Sequence, residues 1–342
     1  MPITPTLYAK PAFITRDNIC NQLTYAALIQ SGITVRDWTP SCAHCPRGIG
    51  LHLHWPEGLL RGKAASVPLK LAAFGLYLDF LKARGRRLIW TAHNVEPHSD
   101  YPLEMVRRFW ATLLPRLDGI IAPSRTALTQ VQELLTSNQA SPRVVFAPFG
   151  GYPLARGAST DRVLNRVKYG LPPNARIGCM IGRLVGYRQL VSTAETFVRA
   201  NVEDVMLLIA GSPTCVETTA RLADIARQYP QVKLFDRTLL QQEFDELLVA
   251  SDVALFPYQK ITNSGAVLHA LSRNVACITS ELPLFCELAL EFGSDRVNMI
   301  SKSFRWWEHQ AALVDTSRVV ESTWITSRWE THAEAIRSLL IQ

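Results

Sequence analysis

Short apolar runs alternate with helical stretches along this chain, and they do so in two successive series. LYAKPAF (7–13), ITVRDW (33–38), GIGLHLHW (48–55), LIWTA (88–92), GIIAPS (119–124) and RVVFAPF (143–149) have the length and composition of buried strands. Between them lie stretches such as NQLTYAALIQSG (21–32), with helical spacing and a glycine stop. Strands separated by helices imply parallel βαβ units and a sheet covered on both faces. The segment 151–175, GYPLARGASTDRVLNRVKYGLPPNA, is rich in Gly and Pro and reads as a hinge between domains. The alternation then resumes with RIGCMIG (176–182), VMLLIAG (205–211), VKLFD (232–236), VALFP (253–257) and VACITS (275–280). A chain of 342 residues exceeds what one core usually serves. The expectation is therefore an α/β protein of two facing, doubly wound, Rossmann-like domains, over 1–155 and 156–326. The amphipathic tail 327–342 is expected as a closing helix that packs back on the N-terminal domain.

Composition narrows the class. Hydrophobic residues at 48% and charged residues at 19% describe a folded chain, not a disordered one. A net charge of +7 and a pI of about 9.1 suit an anionic partner: a nucleotide, a nucleic acid or a membrane surface. No apolar run is long enough for a spanning helix, and MPITPTLYAKPAF does not read as a signal peptide. Seven cysteines without regular spacing suggest reduced thiols and a cytoplasmic location. Cys42 and Cys45, with His44, His52 and His54, have zinc-ligand chemistry. No second CxxC follows, and His52 and His54 alternate along a strand, so no metal is expected.

In open α/β sheets ligands bind outside the carboxyl ends of the strands. The polar clusters of this chain stand at such places: HWPE (54–57), HNVEPH (93–98), GRLVGYR (182–188) and TNSG (262–265). In GRLVGYR, Gly182 lets a ligand approach the backbone, and Arg183 and Arg188 offer cations to a diphosphate. The same residues also read as a glycine turn with solvated arginines. No GxxxxGK[ST] or GxGxxG loop occurs, which counts against P-loop NTPases and ordinary dehydrogenases. Asn263, Ser264 and Gly265 open a helix whose spare amides can seat an anion, or simply cap it. His269 follows one turn on, a position usual for a core or surface histidine. Glu281 and Glu287 come after the VACITS strand, where a carboxylate can accept sugar hydroxyls or be merely solvated. His54, Glu57, His93, Glu96 and His98 have the residue types a general base requires, and loop hydrogen bonds would use them equally well.

Residues 59–87 gather Arg61, Lys63, Lys70, Lys82, Arg84, Arg86 and Arg87 around a stripe of Leu69, Ala72, Ala73, Leu76 and Phe80. Such a segment can lie in a membrane interface with its cations on anionic headgroups. It can equally be a domain helix with a wet basic face.

In their order these motifs resemble the GT-B glycosyltransferases, and among them bacterial exopolysaccharide enzymes of the xanthan-type β-mannosyltransferase kind. The resemblance is carried by RDNICNQL (16–23), HW (54–55), WTAHNVEPH (90–98), APFGGY (147–152), GRLVGYR (182–188), SGAVLHAL (264–271) and VACITSELPLFCEL (275–288). It implies a hexosyltransferase moving a sugar, with GDP-mannose the favoured donor and UDP-sugars behind it. The acceptor implied is a polyprenyl-diphosphate-linked oligosaccharide at the cytoplasmic face of the plasma membrane, with no nucleic acid and no cofactor or metal. Gly182, Arg183, Arg188, Tyr258, Asn263, Ser264, Gly265 and Glu287 would hold the nucleotide sugar. His54, Trp55, His93 and Asn94 would meet the acceptor, and Glu57, Glu96, His98 or Asp17 would be the base. Two departures stand out. PFGGY lacks the histidine of the PHGxY found in related transferases. Thr262 and His269 occupy the neighbourhood where retaining members show two glutamates, which favours inversion. A GT-B-like epimerase or phosphorylase, and a non-catalytic membrane-associated binding subunit, are the competing readings.

Overall fold

The computed structural model describes residues 5–14, 19–42, 48–95, 101–300, 305–308 and 323–341. The chain divides into two compact units, residues 1–150 with 326–342, and residues 151–325.

In the first unit six strands form one sheet: β1 (Thr6–Lys10), β2 (Thr34–Asp37), β3 (Gly48–Leu53), β4 (Arg87–Thr91), β5 (Gly119–Ala122) and β6 (Arg143–Phe146). Their order is β2-β1-β3-β4-β5-β6, and every pairing is parallel. The direction of winding reverses between β1 and β3, so the loops after those strands flank the switch point where such sheets take ligands. Covering elements bury opposite faces. Leu71, Leu78 and Leu81 of the helix Val67–Ala83 pack with Trp90, Phe109 and Ile120 in one core. Ala333, Ile336 and Leu339 of the closing helix Thr323–Leu340 pack with Leu7, Leu28, Ile89 and Ile121 in another. Gly119 permits that second contact, because a Cβ there would lie 2.7 Å from the Leu339 side chain.

The second unit holds β7 (Arg176–Ile181), β8 (Val205–Ala210), β9 (Val232–Phe235), β10 (Val253–Phe256), β11 (Ala276–Ser280) and β12 (Val297–Ile300). The order β9-β8-β7-β10-β11-β12, again all parallel, is the 3-2-1-4-5-6 order of dinucleotide-binding sheets. Its switch point lies between β7 and β10. Strand β12 is absent from the sequence reading for a physical reason. It is a four-residue edge strand, VNMI, of which only Val297 is fully buried, so it needs no continuous apolar run.

The segment 151–175 is more ordered than its glycines and prolines suggest. Asp161 caps a helix, Arg162–Lys168, by accepting from the amides of Val163 and Leu164. Arg166 donates to Asp252 (2.7 Å) and to the Ala250 carbonyl (2.9 Å), while Asp252 also accepts from the Ile177 amide (2.7 Å). The helix is thus bolted to the start of β7 through one carboxylate.

Candidate functional site

In the first unit the switch-point loops carry a connected chain of buried aromatic groups. The HLH that ends β3 and runs one residue past it places His52 and His54 on one side, as a two-residue period requires. The Tyr25 hydroxyl, from the helix Ile19–Gln30, lies 2.8 Å from His52 Nδ1 and 2.5 Å from His54 Nε2. His54 Nδ1 reaches His93 Nε2 at 2.7 Å, and His52 Nε2 reaches the Thr91 hydroxyl at 2.8 Å. Trp55 stacks on the His93 ring at 4.3 Å, and Phe149 stacks on it at 5.3 Å. His332, from the closing helix, meets Phe149 at 5.0 Å and the Ala147 carbonyl through Nδ1 at 2.8 Å. Its Nε2 is buried without a hydrogen-bond partner among the described residues.

Burial keeps all four imidazoles neutral. It pushes His93 down to about 3 and His332 to about 4, and the repulsion that protonated His93 and His332 would exert on each other adds to the shift of His93. His52 and His54 are driven well below the usual histidine range by the same burial and then by their histidine neighbours. The zinc option for this region loses His52 and His54, which are spent on Tyr25, Thr91 and His93. Residues 43–47, His44 and Cys45 among them, lie outside the described residues.

Glu57 stands in the first turn of the short helix Pro56–Leu60 that follows β3. Its Oε2 is buried and has no hydrogen-bond partner among the described residues. Burial raises the carboxyl to about 7, against the opposing pull of its own backbone amide and of Arg61. A carboxylate poised there exchanges protons readily at neutral pH. Asn94 is buried in the loop after β4. Asp37 anchors the neighbouring loop after β1, accepting from the amides of Ala12 (2.7 Å), Phe13 (3.0 Å) and Ile14 (3.3 Å). Asp17, Glu96 and His98 lie outside the described residues.

In the second unit the loops after β7 and β10 are brought together by the pairing of those strands. Gly182 leaves β7 with φ +127°, and a Cβ there would lie 2.8 Å from Arg188 Nη1. Arg188 is buried and turned inward. It donates to the carbonyls of Ile181 (2.8 Å) and Arg183 (2.9 Å) and to the Tyr258 hydroxyl (3.1 Å). Arg188 thereby braces the rim of the switch point, while Arg183 is exposed. The Ser264 hydroxyl caps the helix Gly265–Ser272 by accepting from the Val267 amide at 3.4 Å. The Tyr152 hydroxyl lies against Gly265, where it leaves no room for a Cβ. Asn263 and Glu287 are both half-buried, Glu287 on the helix Pro283–Phe292 after β11.

His269 belongs to a separate buried group. Its ring is sandwiched between Tyr152 (4.6 Å) and Phe244 (4.5 Å), and its Nε2 lies 2.6 Å from Asp245. Asp245 also pairs with Arg273 (2.9 Å) and accepts from the Ala155 amide (2.7 Å). Burial lowers His269, with Asp245 opposing. This carboxylate ties the segment after Gly151 to the helix Gly265–Ser272.

No protein-family model matches the chain, and no curated protein is similar to it in sequence. Solved structures do match over nearly its full length. Sucrose-phosphate synthase from Thermosynechococcus elongatus superposes with a TM-score of 0.62 at 13% identity, covering 98% of this chain and 95% of that one. Anabaena HepE, in complex with UDP and glucose, gives 0.61 at 11% identity, covering 98% and 95%. WaaG, a glycosyltransferase involved in lipopolysaccharide biosynthesis, gives 0.58 at 12% identity, covering 97% and 95%. This chain has the GT-B fold. In GT-B terms, the histidine–tyrosine chain and Glu57 lie at the strand ends of the N-terminal unit, and the Gly182 loop and Ser264 helix at those of the C-terminal unit. The sequence marked His52, His54, His93 and Glu57 directly, and Thr91 and Tyr152 only as members of WTAHNVEPH and APFGGY. Nothing in it marked Tyr25, Asp245 or His332.

Proposed function

We propose that this chain is an inverting glycosyltransferase that moves a hexose from a nucleotide sugar to a lipid-linked saccharide at the cytoplasmic face of a membrane. The observation that carries the reading is the C-terminal unit's switch point. There a glycine-opened loop braced by Arg188 meets the capped start of the helix Gly265–Ser272, on a sheet of dinucleotide-binding order. Gly182, Arg183, Asn263, Ser264 and Gly265 would receive the diphosphate and sugar, with Glu287 at the ribose and Arg188 and Tyr258 shaping the loop. Backbone amides and cations there would stabilise the leaving diphosphate.

Glu57 is the proposed base. Its carboxylate would take the proton of the acceptor hydroxyl as that oxygen bonds the anomeric carbon. The bond from that carbon to the phosphate oxygen would break, and the nucleoside diphosphate would leave with the electron pair. The buried, unpaired Oε2 and the raised pKa support Glu57 over a solvated carboxylate. His54, Trp55, His93 and Asn94 would line the acceptor side.

GDP-mannose is the proposed donor, on the motif resemblance. The Anabaena structure with UDP and glucose favours a UDP-sugar as the alternative. Thermal melts with GDP, GDP-mannose, UDP and UDP-glucose separate the two. A ligand present at a hundred times its Kd stabilises the folded chain by about 2.7 kcal/mol. Absence of a shift with all four would remove the reading. Glu57→Gln should lower kcat by roughly 10²–10⁴-fold while the nucleotide shift persists.

A further inference from the structure

The helix Val67–Ala83 has two apolar faces, and only one of them is used by the fold. Val67, Leu71, Gly75, Leu78 and Leu81 are buried against the first unit. On the opposite side Leu69, Ala72, Ala73, Leu76 and Phe80 are exposed, Leu69 at 77%, Leu76 at 71% and Phe80 at 40%. At 3.6 residues per turn these five fall in one stripe, roughly 16 Å long from Leu69 to Phe80. The outer face is therefore not the wet basic surface that the sequence left open as an alternative. Its cations lie toward the two ends, all exposed: Arg61 and Lys63 precede the helix, Lys70 stands in its first turn with Nζ on the Arg61 carbonyl (2.8 Å), Lys82 in its last turn pairs with Asp118 (3.0 Å), and Arg84 follows it. The acid of the helix, Asp79, is held by Arg116 through two bonds of 2.8 Å. Arg84 lies over the Phe80 ring at 4.6 Å.

An exposed apolar stripe costs solvation unless something covers it. We infer that this face docks on an anionic lipid surface, with Leu69, Leu76 and Phe80 entering the boundary between headgroups and acyl chains. Arg61, Lys63 and Arg84 meet the lipid phosphates. The occupant follows from complementarity: an apolar band bracketed by cations, with its acid neutralised, matches an interface of hydrocarbon below and anionic headgroups beside it. Among the described residues no helix is long and apolar enough to cross a membrane. The helix would lie in the plane of the surface while its other face stays in the protein core. This deepens the proposed acceptor class but rests on the helix alone.

The test is co-sedimentation of the full chain with phosphatidylcholine vesicles, with and without phosphatidylglycerol. Binding should require the anionic lipid and weaken with salt. The triple variant L69S/L76S/F80S should lose at least tenfold in partitioning, and L69M/L76M/F80M should retain it. R61E/K63E/R84E should lose roughly a hundredfold. Circular dichroism and the nucleotide thermal shift should be unchanged in all three, which separates loss of docking from failure of the transfer reading. Binding that ignores lipid charge, or that survives the serine variant, overturns the inference. So does a wild-type dimer in sedimentation velocity that becomes monomeric in the serine variant, since the stripe would then be an interface between copies.

Discussion

Lowering the pH from 7.5 to 5 should destabilise the first unit through its buried histidines. A histidine whose folded pKa lies below its unfolded value of about 6.5 contributes its full stability above that pH. The contribution is lost as pH falls, because the unfolded chain takes up the proton and the folded one does not. With His93 at about 3 and His332 at about 4, each costs about 2 kcal/mol at pH 5. His52 and His54 are shifted the same way and add to the loss. Glu57 works in the opposite sense. Its carboxyl is raised from 4.5 to about 7, so the penalty on the folded chain builds up as pH rises through that window and is level above it, and acidification from 7.5 to 5 recovers about 2 kcal/mol. The net expectation is a loss of at least about 2 kcal/mol, and of about 4 kcal/mol in Glu57→Gln, where the compensation is gone. Urea titrations at the two pH values, followed by tryptophan fluorescence, measure both. Equal stability at pH 7.5 and 5 in the Glu57→Gln chain would show that these imidazoles are not buried and neutral.

Other outcomes follow from single contacts. Arg188→Ala strands the Ile181 and Arg183 carbonyls and should cost about 3 kcal/mol in urea, with a weaker nucleotide shift. Gly265→Ala should cost about 1–3 kcal/mol through the collision with the Tyr152 hydroxyl, and Tyr152→Phe should recover part of it in a double-mutant cycle. Asp245→Asn leaves Arg273 buried without its anion and should destabilise the second unit by about 3–5 kcal/mol in thermal melts. If Glu57 is the base, kcat/KM should fall as pH drops below about 7 and stay level above it, a limb absent from Glu57→Gln.

Much of the fold was legible before any coordinates. Strands β1 to β11 announce themselves because a parallel sheet covered on both faces demands continuous apolar runs, and LIWTA or VMLLIAG cannot be anything else so easily. The polar groups at strand ends were legible for the same reason, since nothing in a buried strand accounts for HNVEPH or GRLVGYR. Strand β12 and the helix Arg162–Lys168 were not. A four-residue edge strand and a seven-residue helix are held by specific tertiary contacts, here the pairing with β11 and the Arg166–Asp252 and Lys168–Glu246 bonds, and are too short to leave much periodicity behind.

What the sequence determined by itself was the class of structure and the places where chemistry can happen, because hydrophobic period and strand-end polarity are local properties of the chain. Tertiary structure decided which of those polar groups are free to act. Arg188 has the chemistry of a phosphate ligand, yet its donors are aimed at the Ile181 and Arg183 carbonyls. His54 has the chemistry of a base, yet it is locked between Tyr25 and His93. Glu57, no more conspicuous in the sequence than its neighbours, is the carboxylate that, among the described residues, is left with a buried, unpartnered oxygen. A hydrogen bond is a relation between residues far apart in the chain, 27 positions for Tyr25 and His52. Local pattern carries no record of it.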